Sequence, residues 1–148
     1  MRKLALATHP AGALDSHMEG LMTIASKFTP KETMNRLEAE VRVRGLTVFA
    51  RIDHAAGAAE VGLTLRPTEL IIFGNARSGT PLMQASQTAG IDLPLKALVW
   101  EDAAGKTWLS YNEPSWIVQR HSLGIRAELV DNLAAALSAI SRKAADSK

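Results

Sequence analysis

Glu69-Leu-Ile-Ile-Phe-Gly-Asn75, followed by Gly79-Thr-Pro-Leu-Met83, decides how this chain is organised. A continuous apolar run of this length, rich in β-branched and aromatic residues, predicts a strand covered on both faces or lying at an interface. The run stops at Gly74-Asn75. The sequence then predicts a loop over 75–79 and a helix that Thr80 caps, starting at Pro81 and ending at Gly90. Asn75 reads either as a left-handed turn residue beside Gly74 or as a group that holds a substrate carboxylate or carbonyl. Polar residues thus gather where elements end, and binding sites are usually built there.

Outward from this stretch the pattern stays regular. Met22–Ser26 alternates and predicts a first strand. Thr29-Pro-Lys-Glu32 forms a capping box with proline at the first helical position, and Met34, Leu37 and Val41 repeat at helical spacing up to Gly45. Leu46–Asp53 alternates again, with Val48, Ala50 and Ile52 opposite Phe49 and Arg51. An Ala/Gly-rich segment, His54–Leu63, predicts a short helix, and Arg66-Pro67 stops it. Downstream, Leu95–Asp102 and Thr107–Asn112 read as a hairpin through Ala103-Ala-Gly-Lys106; if it is symmetric about Ala104, Trp100 faces Trp108 and Lys96 faces Asn112. Pro114 opens a short helix carrying Trp116, and 125–143 predicts a final amphipathic helix with Leu129, Leu133, Leu137 and Ile140 on one side. Helices do not alternate regularly with strands, and one hairpin is antiparallel. The expected class is α+β, a mainly antiparallel sheet packed on helices.

Composition bounds the function. The chain has 148 residues, 47% apolar and 22% charged, so a single domain over 19–148 is expected, preceded by a leader over 1–18. Cysteine is absent, which excludes thiol catalysis, disulfides and cysteine-ligated metal. A formal charge of +2 gives no footprint for nucleic acid; Arg36, Arg42 and Arg44 read as one solvated helix face. No apolar run approaches the roughly 20 residues that span a bilayer. Residues 1–13 have the order of a secretory signal, but Thr8, His9 and Pro10 break the apolar core. The expected location is cytoplasmic, with periplasmic or secreted as the alternative if that segment acts as a signal.

Several ordered motifs resemble one bacterial family. Ile52-Asp-His54, Arg66–Asn75, Gly79–Met83, Gly90–Lys96 and Tyr111-Asn112 are similar to the family called domain of unknown function 302. The resemblance covers about residues 20–123 and does not extend to the tail. It implies a TATA-binding-protein-like β-α-β4-α arrangement, with a curved antiparallel sheet on helices, and a homodimer. It implies no activity.

The candidate site is the set of polar groups at element ends: His54, Glu69, Asn75, Lys96, Tyr111 and Asn112. Histidine titrates near neutral pH, so His54 is a candidate ligand-binding group or general base. Lys96 interrupts an apolar segment; it either snorkels or pairs with an acid such as Glu69, Asp53 or Glu101. Trp100 and Trp108 line a groove, a dimer patch or the core. The four histidines, His9, His17, His54 and His121, lack zinc-type spacing, and no nucleophile elbow or P-loop is present. Neither a catalytic set nor a metal site is assigned, and the cofactor stays unknown. The reading these residues favour is a homodimeric small-molecule or partner-binding domain, with a small anionic molecule as a possible ligand and neither nucleic acid nor membrane as partner. The alternatives are an enzyme using His54 as acid/base with Lys96 stabilising charge, and a structural assembly protein.

Overall fold

A computed structural model describes residues 18–124 and 127–146; residues 1–17 of the expected leader, with His9 and His17, lie outside them. The elements run β1 (Leu21–Ser26), α1 (Pro30–Val43), β2 (Thr47–Asp53), α2 (His54–Glu60), β3 (Thr68–Gly74), α3 (Ala76–Ala85), a 3-10 turn (Gln87–Ile91), β4 (Leu95–Glu101), β5 (Thr107–Asn112), α4 (Pro114–Arg120) and α5 (Ala127–Asp146). The strands form one sheet in the order β1-β5-β4-β3-β2, and every neighbouring pair is antiparallel. This is the α+β architecture expected from the sequence. Glu69–Phe73 lies in β3, an interior strand between β2 and β4.

The core lies on one face only. Ile71, Phe73, Ala97, Val99, Leu109 and Tyr111 point from the sheet onto α1 and α5 and are buried. Helix α1 forms as its capping box predicts: Thr29 accepts from the Glu32 amide at 3.2 Å, and Met34, Leu37 and Val41 are at most 1% exposed. Burying each such side chain is worth about 1.5–3 kcal/mol. Leu137, Ile140 and Ala144 of α5 complete the same cluster, so the tail is an integral core element.

Three local expectations change. Arg36 is not merely solvated: it lies over the Phe28 ring and donates to the Ala144 and Lys143 carbonyls at 3.1 and 3.0 Å. It thereby closes the last turn of α5, where helical carbonyls lack internal donors. Arg42 and Arg44 do form surface pairs, with Glu38 and Glu40. Second, β2 does not alternate simply. A register shift between Val48 and Ala50 leaves Val48 and Arg51 on the helix side, paired with Phe73 and Ile71, and Ala50 and Ile52 on the other. Phe49 falls at this bulge and lies beside Gly74 at the end of the sheet. Third, α3 starts at Ala76, not Pro81, and ends at Ala85, with Gly90 inside the separate 3-10 turn. Asn75 is a stronger start signal than the proline, which sits inside the helix without an amide to donate.

The opposite face carries Leu70, Ile72, Lys96, Leu98, Trp100, Trp108, Ser110 and Asn112. Helices α1 and α5 cover only the core side, so this face stays open among the described residues. The hairpin register agrees with the sequence reading: Trp100 is the direct partner of Trp108, with ring centroids 6.1 Å apart.

Candidate functional site

The six candidate residues do not form one site. They separate into three hollows, a core position and an exposed helix start.

The first hollow, about 270 Å³, lies at the end of the sheet beside α3. Its walls are apolar: Phe49 from the bulge, Leu82 and Met83 from α3, Leu93 and Pro94 before β4, and Leu133 from α5. Asn75, Ser78 and Thr80 supply the polar rim. Asn75 has an extended backbone, φ −150°, and its side-chain oxygen accepts from the Arg77 amide at 2.7 Å. It is the N-cap of α3, so the left-handed reading fails; its amide group still borders the hollow. Gly79 faces the same space, where an added Cβ would meet only Met83 Cε, at 4.0 Å. The gap therefore comes from Gly74-Asn75, Gly79–Met83 and Leu93-Pro94, all within the motifs singled out by sequence.

The second hollow, also about 270 Å³, is a shallow depression on the open face, bordered by Leu21, Leu70, Lys96, Leu98, Trp100, Ser110 and Asn112. Lys96 has no carboxylate partner there. Glu69 and Glu101 project from the other side of the sheet, and the ammonium instead donates to the Pro94 carbonyl at 3.0 Å. Burial pushes the Lys96 pKa below the usual lysine value, and the Asp92 charge only partly opposes this. Asn112 borders the same depression, as the predicted hairpin register requires. Tyr111 turns its ring into the helix-side core; burial first, and the Glu113 charge second, push its pKa up, and its hydroxyl shares a hydrogen bond with Ser138.

The third hollow, about 400 Å³, lies between the start of α1 and the β2–α2 junction, and Thr29, Lys31, Asp53 and Glu69 border it. Glu69 is held by Arg51, whose Nε donates to Oε1 at 3.0 Å. Arg51 also donates to Glu38 at 2.9 Å and Asn35 at 3.0 Å. Burial works against the Arg51 charge, but bonds to Glu69 and Glu38 outweigh it and raise the pKa; the Arg51 bond in turn lowers that of Glu38. This network ties β2, β3 and α1 together and holds Glu69 through Oε1. Asp53 caps α2 by accepting from the Ala56 amide at 2.9 Å, and His54 is the exposed first residue of that helix.

His54 and Lys96 do not meet. Lys96 is level with Ile72, and Ile72 with Ala50, four residues before His54. Standard strand rise and spacing then put the two backbones about 16 Å apart. The Lys96 side chain also folds toward Pro94, away from His54, so the pair lacks the shared cavity that acid/base action with charge stabilisation requires.

Sequence reading missed one polar cluster. His121 Nε2 lies 2.5 Å from Asp92 Oδ2, His121 Nδ1 lies 2.9 Å from Thr88 Oγ1, and Arg120 donates to both Asp92 oxygens at 3.1 and 3.2 Å. It fastens the end of α4 to the segment entering β4. Its two halves, Thr88 with Asp92 and Arg120 with His121, are 28 or more residues apart in sequence, and no local pattern joins them.

Among known proteins, similarity reaches three relatives named fluoride-specific ion channel FluC. The match is 51% identical over 119 residues to FluC 1 of Brucella suis biovar 1, covering 80% of this chain and 46% of that protein. FluC 1 of Brucella abortus biovar 1 and FluC 2 of Brucella melitensis biotype 1 match at 51% with 43% of their length covered. The chain thus spans less than half the length of these relatives. Among the described residues no helix is long and apolar enough to cross a membrane. The crystal structure of an uncharacterised conserved DUF302 protein from Bacillus stearothermophilus superimposes with a TM-score of 0.76 at 20% identity, over 85% of this chain and 98% of the other, which shows a shared fold. The sequence pattern of the domain of unknown function DUF302 matches residues 22–140, so the family unit runs past Leu123 and takes in most of α5. This chain belongs to the DUF302 family.

Proposed function

We propose that this chain is a non-catalytic binding domain that holds a small, mainly apolar molecule in the hollow beside α3. The observation that carries the reading is that hollow itself: an apolar chamber of about 270 Å³ with Asn75, Ser78 and Thr80 on one rim. Apolar walls with a few placed polar groups are the usual make-up of a small-molecule site.

Gly79→Leu tests it. The new side chain projects from α3 into the gap, where only Met83 stands within 4 Å of the added Cβ. The wild type is expected to be stabilised against heat by apolar probes such as indole or 1-naphthol, and the variant to lose that shift while folding normally. A wild type whose melting temperature no such probe raises, or a variant that responds equally, would overturn the proposal.

The open face supports a homodimer as part of this reading. Leu70, Ile72, Leu98, Trp100 and Trp108 stand on neighbouring strands of this face and are only partly buried, a contiguous apolar patch of the kind that marks contact surfaces. The tryptophans are tethered, Trp100 Nε1 to Ser110 Oγ and Trp108 Nε1 to Asp102 Oδ2, each at 2.9 Å. Light scattering is expected to give twice the chain mass, and half of that when Trp100 and Trp108 are both changed to alanine; an unchanged mass in the double variant argues against this interface.

A further inference from the structure

The depression around Lys96 has a chemistry of its own, distinct from the hollow beside α3. Its walls are the apolar side chains of Leu21, Leu70 and Leu98 and the ring of Trp100. Its single charge is the Lys96 ammonium, which has only the Pro94 carbonyl as acceptor, at 3.0 Å. An ammonium has three donors, so two remain for a ligand. The strand positions that share this face carry Leu, Ile, Ala, Gly, Thr, Ser, Asn, Trp and Lys; the acid that reaches it, Asp102, accepts from Trp108 Nε1 at 2.9 Å, and Lys96 forms no ion pair among the described residues. The carboxylate whose field reaches Lys96 is Asp92, and it is already engaged by Arg120 at 3.1 Å and His121 at 2.5 Å. A half-buried cation therefore faces an apolar floor with no carboxylate in direct contact among the described residues. A solvated lysine would instead extend into water.

The floor is also rigid. Trp100 is pinned through its indole nitrogen to Ser110, and Ser110 is pinned to Thr23 across the β1–β5 ladder at 2.8 Å. A fixed aromatic wall lowers the ordering cost of binding. The Asn112 side chain, which has no hydrogen-bonded partner among the described residues, borders the depression and offers both a donor and an acceptor.

We propose that the depression at Lys96, Trp100 and Asn112 binds a small monocarboxylate carried on an apolar body, with the carboxylate on the Lys96 ammonium and the body against Trp100 and Leu98. The match is one of charge and polarity together: a carboxylate needs the cation, and its tail needs the apolar walls.

The experiment compares hexanoate and benzoate with hexanol and benzyl alcohol, followed by tryptophan fluorescence on the full chain. Saturable binding of the carboxylates is expected, about tenfold or more tighter than of the alcohols, because the ion pair adds a charge-assisted bond. Lys96→Met keeps the apolar stem and is expected to reduce carboxylate affinity by a similar factor while leaving the mass in solution and the fold, read by circular dichroism, unchanged. Gly79→Leu is expected to bind carboxylates as the wild type does, which separates this site from the hollow beside α3. Equal binding of acids and alcohols, undiminished carboxylate binding in Lys96→Met, loss of carboxylate binding in Gly79→Leu, or no saturable carboxylate binding at all would each overturn the proposal.

Discussion

Replacing Phe73 by alanine is expected to cost about 3–5 kcal/mol of unfolding free energy, the range for removing a buried aromatic side chain and leaving a cavity. Phe73 has no exposed surface and sits in an interior strand, with Val48 and Leu95 as its cross-strand partners. Strands on both sides and helices above leave the gap little room to collapse. Single domains have about 5–15 kcal/mol to lose, so the variant keeps a fold but a marginal one. In a thermal melt the midpoint is expected to fall by about 6–20 °C for a chain of this size. Urea titration with an unchanged slope would assign the loss to the native core. A loss below about 1 kcal/mol would show that Phe73 is not the core residue described. Leu95 also walls the hollow beside α3, so probe binding there should weaken with the core.

Changing Gly20 to alanine is the second large effect, and nothing in a hydropathy pattern announces it. Gly20 has φ +74°, a region that costs L-residues about 1–2 kcal/mol. An added Cβ would lie 2.2 Å from Trp116 Cγ, so the indole must move as well. The Gly20 carbonyl accepts from the Glu113 amide at 2.8 Å and ties the start of β1 to the start of α4. The combined loss is expected at about 2–4 kcal/mol, strain and displaced packing together. A double-mutant cycle isolates the clash: Gly20→Ala in a Trp116→Ala background should cost at least about 1 kcal/mol less than in the wild type. Strict additivity would mean that the two residues do not collide. Amide exchange gives a second readout, because release of β1 at this end would speed exchange at Met22 and Ile24 while α1 stays protected.

These two positions mark how far the residues can be read before folding. Phe73 was legible, because a continuous apolar run bounded by turn signals has few readings other than an interior strand. Helix α1 was legible for a similar reason, since Thr29, Pro30 and Glu32 act within one turn of one another. The hairpin register was legible because a short connection centred on Ala104 fixes which residues face each other. Helix α3 was misread at its start, because Thr80-Pro81 is also a good start signal and masked the stronger one at Asn75. The bulge at Phe49 was hidden for another reason: one extra residue in β2 answers to its neighbour β3 and not to its own alternation.

The candidate site divides along the same line. Its residue types were visible, and so was their gathering at element ends. What brought Lys96 and Asn112 to one depression was the pairing of β4 with β5. What drew Glu69 into an ion pair was Arg51, eighteen positions away, which also holds Glu38 from a helix. What kept His54 apart from Lys96 was two strand spacings and a four-residue offset. By itself the sequence determined the elements, their class and the family, because propensity, capping and periodicity are local. The tertiary structure alone decided which polar groups share a cavity, which are tied up in ion pairs and which face of the sheet stays bare. Those outcomes depend on distances between residues far apart in the chain, and they are set only when the sheet closes on its helices.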